Sequence, residues 1–85
     1  MSHVKTTLEN NKMPLSKVAA GKTVRVVSID AGHGLKNRLA ALGVLTNSAL
    51  HIIRNGGAGQ LVVYIKNSKI VLGRGASQKI FVTEI

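Results

Sequence analysis

Short apolar runs, each cut off by glycine, asparagine or serine, are the feature that most narrows what this chain can fold into. The runs are Lys22–Asp30 (KTVRVVSID), Ala49–Arg54 (ALHIIR), Gln60–Lys66 (QLVVYIK), Lys69–Leu72 (KIVL) and Lys79–Ile85 (KIFVTEI). All are rich in β-branched residues and too short for core helices, so each predicts a strand. Asn55-Gly56-Gly57-Ala58-Gly59 and Asn67-Ser68 predict the turns that follow the second and third. Five such strands in about 73 residues predict a mainly β domain, a small antiparallel five-stranded barrel, because curling a sheet onto itself protects its edges. The first run alternates imperfectly: Val24 and Val26 share one face, Val27 and Ile29 the other. Either both faces are partly covered, or a bulge near Val27 shifts the register.

One segment has a different period. Leu35, Leu39 and Leu42 fall at i, i+4 and i+7, a helical stripe over Leu35–Leu42, and Gly43 stands where a left-handed residue closes a helix. The preceding Gly32-His33-Gly34 breaks the first strand. Leu45-Thr46-Asn47-Ser48 predicts a turn with Asn47 at positive φ. Leu15 and Val18, three apart and followed by Gly21, predict one helical turn or a tight loop, and 73–78 (GRGASQ) leaves room for a turn of 3₁₀ helix. Residues 1–12 are polar and aperiodic and read as a flexible extension ahead of a domain at 13–85.

Composition excludes several function classes. The chain has 85 residues, no cysteine, and no apolar stretch long enough to span a bilayer. A disulfide framework and a thiolate metal site are therefore ruled out, and the N-terminus lacks the apolar run of a signal peptide. The net charge is +9, and 13–85 carries ten of the twelve cations and two of the three acids, or +8. Such a field attracts acidic proteins, anionic membranes and nucleic acid. Yet Tyr64 and Phe81 are the only aromatic residues, too few for a base-stacking platform or a proline-rich peptide groove. Nucleic acid is expected to bind only non-specifically and to be lost as salt rises.

Residues suited to chemistry are sparse. Asp30 and Glu84 are the only carboxylates in 13–85, so paired acid–base catalysis has little to draw on. Ser77 lacks the glycine pattern of a nucleophile elbow and reads as a turn hydroxyl. His3, His33 and His51 are too scattered to place two imidazoles on one face, and no metal or other cofactor is expected. Neither glycine-rich break continues into a Walker sequence. The chain does not read as an enzyme.

The segment Met13-Pro14-Leu15-Ser16 with Ala20-Gly21, then Gly32-His33-Gly34 leading to Arg38-Leu39-Ala40-Ala41-Leu42-Gly43, then Thr46-Asn47 where Pro-Gly is commonest, resembles the FeoA family. QLVVYIK and the closing Ala76-x-x-Lys79-Ile80-Phe81-Val82 fit the same pattern. The resemblance implies an SH3-like barrel and a cytoplasmic accessory protein of bacterial ferrous-iron uptake. Its implied partner is the FeoB-type membrane GTPase of the transporter, bound by protein–protein contacts, with an anionic inner-membrane surface nearby. Two alternatives stand beside it: a small basic barrel that binds nucleic acid, and, because similar SH3-like domains occur in iron-dependent repressors, a free-standing regulatory domain. Lys36, Asn37 and Ala40, on the outer helix face, are the first candidate contacts. Arg38 lies about 60° from Leu35 and about 40° from Leu42 on a helical wheel. It reads as a snorkelling guanidinium bonding carbonyls of the next turn, and as a further candidate contact. Lys66, Lys69 and Arg74 complete the set.

Overall fold

Six strands, not five, build the sheet among the described residues. The structure is a computed structural model that describes residues 12–56 and 60–85. Strands β1 (Met13–Pro14), β2 (Thr23–Ile29), β3 (Ala49–Asn55), β4 (Leu61–Ile65), β5 (Ser68–Leu72) and β6 (Ile80–Glu84) form one antiparallel sheet in the order β1-β6-β2-β3-β4-β5. A 3₁₀ turn at Leu15–Lys17 follows β1, helix α1 (His33–Ala41) separates β2 from β3, and a single helical turn, α2 (Arg74–Ser77), separates β5 from β6. The added strand is β1, whose Met13 and Pro14 pair with Val82 and Phe81. Two residues are too few for an alternation pattern, so only the pairing reveals it. The expected extension at 1–12 lies, Lys12 apart, outside the described residues.

The sheet must curl, because one core serves all of it. Val24 and Val26 of β2, Leu50 and Ile52 of β3, Leu61, Val63 and Ile65 of β4, Ile70 and Leu72 of β5, and Ile80 and Val82 of β6 are buried in a single cluster. Leu15, Val18, Leu39 and Val44 join it from outside the strands. One nine-residue helix cannot cover a flat six-stranded sheet, so the inner faces of the strands cover each other. Each fully buried aliphatic side chain contributes about 1.5–3 kcal/mol.

The uneven alternation of β2 is resolved by a bulge. The β2–β6 register shifts between Val26 and Ser28, which leaves Val27 40% exposed and returns Ile29 to the core side. A second bulge, which the sequence pattern did not signal, shifts β3 against β4 between Ile52 and Arg54, so that Arg54 stays on the outer face and Asn55 turns inward. Asn55 Nδ2 donates to the carbonyls of Ser16 and Val18, tying the 3₁₀ turn to the end of β3.

Helix α1 begins two residues earlier than its leucine stripe suggests, with Gly32 as N-cap. The stripe itself is narrower than expected. Leu39 is buried and Leu35 half-buried against the core, but Leu42 is 47% exposed. Leu42 caps the helix, and at the helix end the chain turns so that Val44 enters the core in its place.

Candidate functional site

The geometry of the helix end begins with Gly43. Its φ of 93° lets the Gly43 N–H donate to the Ala40 carbonyl at 2.9 Å and the Val44 N–H to the Leu39 carbonyl at 2.8 Å. This pair of bonds is a Schellman cap, and its apolar seal is the burial of Leu39 with Val44. The next four residues form a turn of type II character: Ser48 N–H donates to the Leu45 carbonyl at 2.9 Å, and Asn47 takes φ 76°. Asparagine at positive φ is what the sequence predicted there.

The turn is fastened on three sides. Ser48 Oγ donates to the Gly43 carbonyl and accepts from the Leu45 N–H, both at 3.0 Å. Asn47 N–H donates to the Val26 carbonyl, Val26 N–H to the Ser48 carbonyl, and Arg25 Nη1 to the Asn47 carbonyl at 3.1 Å. The segment following α1 is thus held to β2 as firmly as a strand, a preorganised surface that loses little freedom on binding.

Facing this turn is the β4–β5 hairpin. Residues 45–49 on one side, with Ile65 and Lys66 on the other, line an open groove of about 470 Å³. A Cβ on Gly43 would lie 3.7 Å from Lys66 Cδ and 3.8 Å from Ile65 Cδ1, so the Lys66 stem runs against the helix end. That places a cation near the carbonyl end of α1, which already carries Arg38 in its last turn, a favourable arrangement for the helix dipole. Leu42 and Leu45 stand exposed on either side of Gly43 and Val44, at 47% and 48%. The result is a groove of apolar and neutral polar residues with one cation, Lys66, in its wall and no carboxylate in its lining.

The structure disperses the predicted contact residues. Lys36, Asn37, Arg38 and Ala40 are all exposed on α1. Lys66 is brought to the C-terminal end of that helix. Lys69 sits on the outer face of β5 opposite Tyr64, and Arg74 begins α2, with no substantial packing between those elements and α1. Arg38 does not bond the carbonyls of the next turn among the described residues. The carbonyls at the helix end accept backbone donors instead: Leu42 N–H bonds the Arg38 and Leu39 carbonyls, Gly43 N–H the Ala40 carbonyl and Val44 N–H the Leu39 carbonyl. Leu45 and Ser48 were missed as parts of a site. The turn was legible, but the reach of Ser48 back to Gly43 spans five residues and leaves no local sequence signal.

Ser77, His33 and His51, the groups suited to chemistry, lie on separate elements. Ser77 is buried, its hydroxyl donating to the Arg74 carbonyl. His33 is exposed at the start of α1, and His51 Nδ1 lies 2.9 Å from Thr23 Oγ1. His3 lies outside the described residues. Among the described residues no three of His, Cys, Asp and Glu converge as a metal site would require.

Comparison with known proteins bears on the family and the fold. The sequence profile described as "FeoA domain" matches residues 13–84. The chain belongs to the FeoA family. A protein of Methanocaldococcus jannaschii named as a candidate Fe(2+) transport protein A is 39% identical over 71 residues, which cover 84% of this chain and 85% of that protein. A crystal structure described as an iron uptake regulatory protein (FeoA) superposes with a TM-score of 0.83 at 20% identity, covering 87% of this chain and 99% of the other. A FeoA protein from Chlorobium tepidum gives a TM-score of 0.77 at 26% identity over 86% of this chain and 70% of that one. A manganese-dependent transcriptional repressor matches at 0.80 with 28% identity, over 87% of this chain but 42% of its own. The fold is therefore the SH3-like one shared by FeoA proteins and the repressor's domain, and the FeoA family is an accessory family of ferrous-iron transport. Among the described residues no helix is long and apolar enough to cross a membrane.

Proposed function

We propose that this chain is a cytoplasmic accessory protein of ferrous-iron uptake that docks on the membrane GTPase of the transporter and regulates it without carrying out chemistry itself. Family membership supports the setting, and one structural observation supports docking: the rigid, acid-free groove between the end of α1 and the β4–β5 hairpin, walled by Lys66 and flanked by exposed Leu42 and Leu45. Apolar residues there supply contact area. The +8 field of 13–85 supplies attraction to an acidic cytoplasmic face or an anionic lipid surface beside it. Lys36, Asn37, Arg38 and Ala40 extend the contact along α1, while Lys69 and Arg74 add charge from β5 and α2.

A binding titration of the full chain against the transporter's cytosolic GTPase domain, anionic vesicles and RNA tests this reading. Binding to the GTPase domain should be tightest, weaken as salt rises, and fall about tenfold on combined charge reversal of Lys36 and Lys66. Absence of binding to that domain at low salt, where steering is strongest, would sink the proposal. The likeness to the repressor domain supports a second reading, a free-standing regulatory domain that docks on a metal-dependent repressor. Preference for a repressor's DNA-binding part over the GTPase domain in the same titration would select it.

A further inference from the structure

Among the described residues, only one end of the sheet offers an edge of useful length. β1 is two residues long and one of them is Pro14, which has no N–H to give. β5 has five residues, pairs with β4 on one side, and meets no backbone partner on the other among the described residues. The turn fixes which groups face that open side. Lys66 and Asn67 both have positive φ, 48° and 66°, a type I′ turn, whose flanking residues Ile65 and Ser68 form a hydrogen-bonded pair. Bonded and non-bonded pairs then alternate along the hairpin. Ser68, Ile70 and Leu72 spend their N–H and C=O groups on β4, while those of Lys69 and Val71 point outward from the sheet. Both residues are exposed, Val71 at 56%.

Charge selects what can pair there. Lys66, Lys69 and Arg74 are distributed along the hairpin and its exit, and neither described carboxylate, Asp30 or Glu84, lies on β4, β5 or their turn. A second copy would bring another +8 domain and a second Lys69 to the same edge, at a repulsive cost. An incoming strand with a carboxylate opposite Lys69 and a branched apolar residue opposite Val71, two positions apart, makes a favourable cross-strand pair at each position. We infer that the free edge of β5 is a strand-addition site for an extended acidic segment of a partner protein, bound through the N–H and C=O groups of Lys69 and Val71. The inference rests on the docking function proposed above and specifies one way in which the docking is made.

Amide hydrogen exchange on the full chain tests it, with two probes: the transporter's cytosolic GTPase domain, and a synthetic peptide repeating Glu-Thr-Val-Thr, in which glutamate and valine stand two positions apart on one face. Each probe should slow exchange of the Lys69 and Val71 amides by at least about tenfold. Lys69→Glu should weaken binding by about tenfold. Val71→Pro should abolish it, since the lost N–H is outside the β4 ladder, with unchanged Ile70 exchange showing that the hairpin survives. Should Val71→Pro fail to fold, Lys69→Glu and the wild-type exchange pattern carry the test. If the GTPase domain binds while Lys69 and Val71 exchange as before, the edge site is overturned and docking stands. If the peptide protects both amides but the GTPase domain does not bind, the edge site stands and that partner is wrong. Protection of both amides in a dimer of the chain alone, or by anionic vesicles and not by peptide, overturns the acidic strand as occupant.

Discussion

Two glycines nine residues apart in the same helical segment should respond to alanine with opposite signs. At Gly43, φ is 93°, a conformation that costs an L-residue about 1–2 kcal/mol. No clash adds to this, because the new Cβ would meet Lys66 Cδ at 3.7 Å and Ile65 Cδ1 at 3.8 Å, ordinary contact distances. The stiffer unfolded chain returns about 0.4–1 kcal/mol, so Gly43→Ala should destabilise the domain by about 1 kcal/mol. Gly34, within the first turn of α1, has an ordinary φ and open space around it. There alanine should stabilise by about 0.5 kcal/mol.

Urea unfolding followed by far-ultraviolet circular dichroism measures both. For a domain of this size about 1 kcal/mol corresponds to about 4–8 °C in Tm, so the two variants should move apart on either side of the wild type. Gly43→Asn should recover most of the loss, since asparagine tolerates positive φ. A neutral Gly43→Ala, or a Gly43→Asn as damaging as alanine, would refute the view that the left-handed cap is what position 43 requires.

Leu39→Ala should cost about 2–5 kcal/mol by opening a cavity in the core, whereas Leu42→Ala, at an exposed position, should change the denaturation midpoint little while weakening partner binding. Asn55→Ala should cost about 1–3 kcal/mol, because the Ser16 and Val18 carbonyls lose their donor; the slope of the urea transition should be unchanged. Added salt should raise the Tm, since a domain of net charge +8 whose one ion pair among the described residues, Lys22–Glu84 at 3.9 Å, is exposed is self-repelling, and should lower affinity for the transporter domain in the same buffers. Salt effects of equal sign on stability and binding would contradict that assignment of the charge.

Elements dominated by local chemistry were legible in the sequence. The strand runs, the cap at Gly43, the positive φ at Asn47 and the bulge near Val27 each follow from a residue's own preferences or those of its neighbours. What was not legible depends on partners distant in the chain. β1 exists because β6 lies beside it, and Arg54 stays outside while Asn55 turns inward because β3 shifts its register against β4. The same division holds for the site. Exposure of Lys36, Asn37 and Ala40 was readable from the helical period. The groove required the hairpin to fold back against the helix end, and no spacing in the sequence encodes that approach of Lys66 to Gly43.

Lys66 itself is the residue where stability and binding pull apart. It holds φ 48° with neither the freedom of glycine nor the local bonding of asparagine, a strain of about 1–2 kcal/mol that an unselected turn would shed. Asn-Gly is the preferred filling of a type I′ turn, yet this turn is Lys-Asn, with the lysine stem against Gly43 and its charge at the wall of the groove. Lys66→Asn keeps the left-handed backbone accessible and removes the cation. If lysine is retained for binding, the variant should be more stable by about 0.5–1 kcal/mol, the relieved strain offset in part by lost packing on Gly43. It should also bind the transporter domain more weakly, with a shallower dependence on salt. A variant less stable than the wild type would show that the stem's packing outweighs the strain, and the lysine would then be explained by the fold alone.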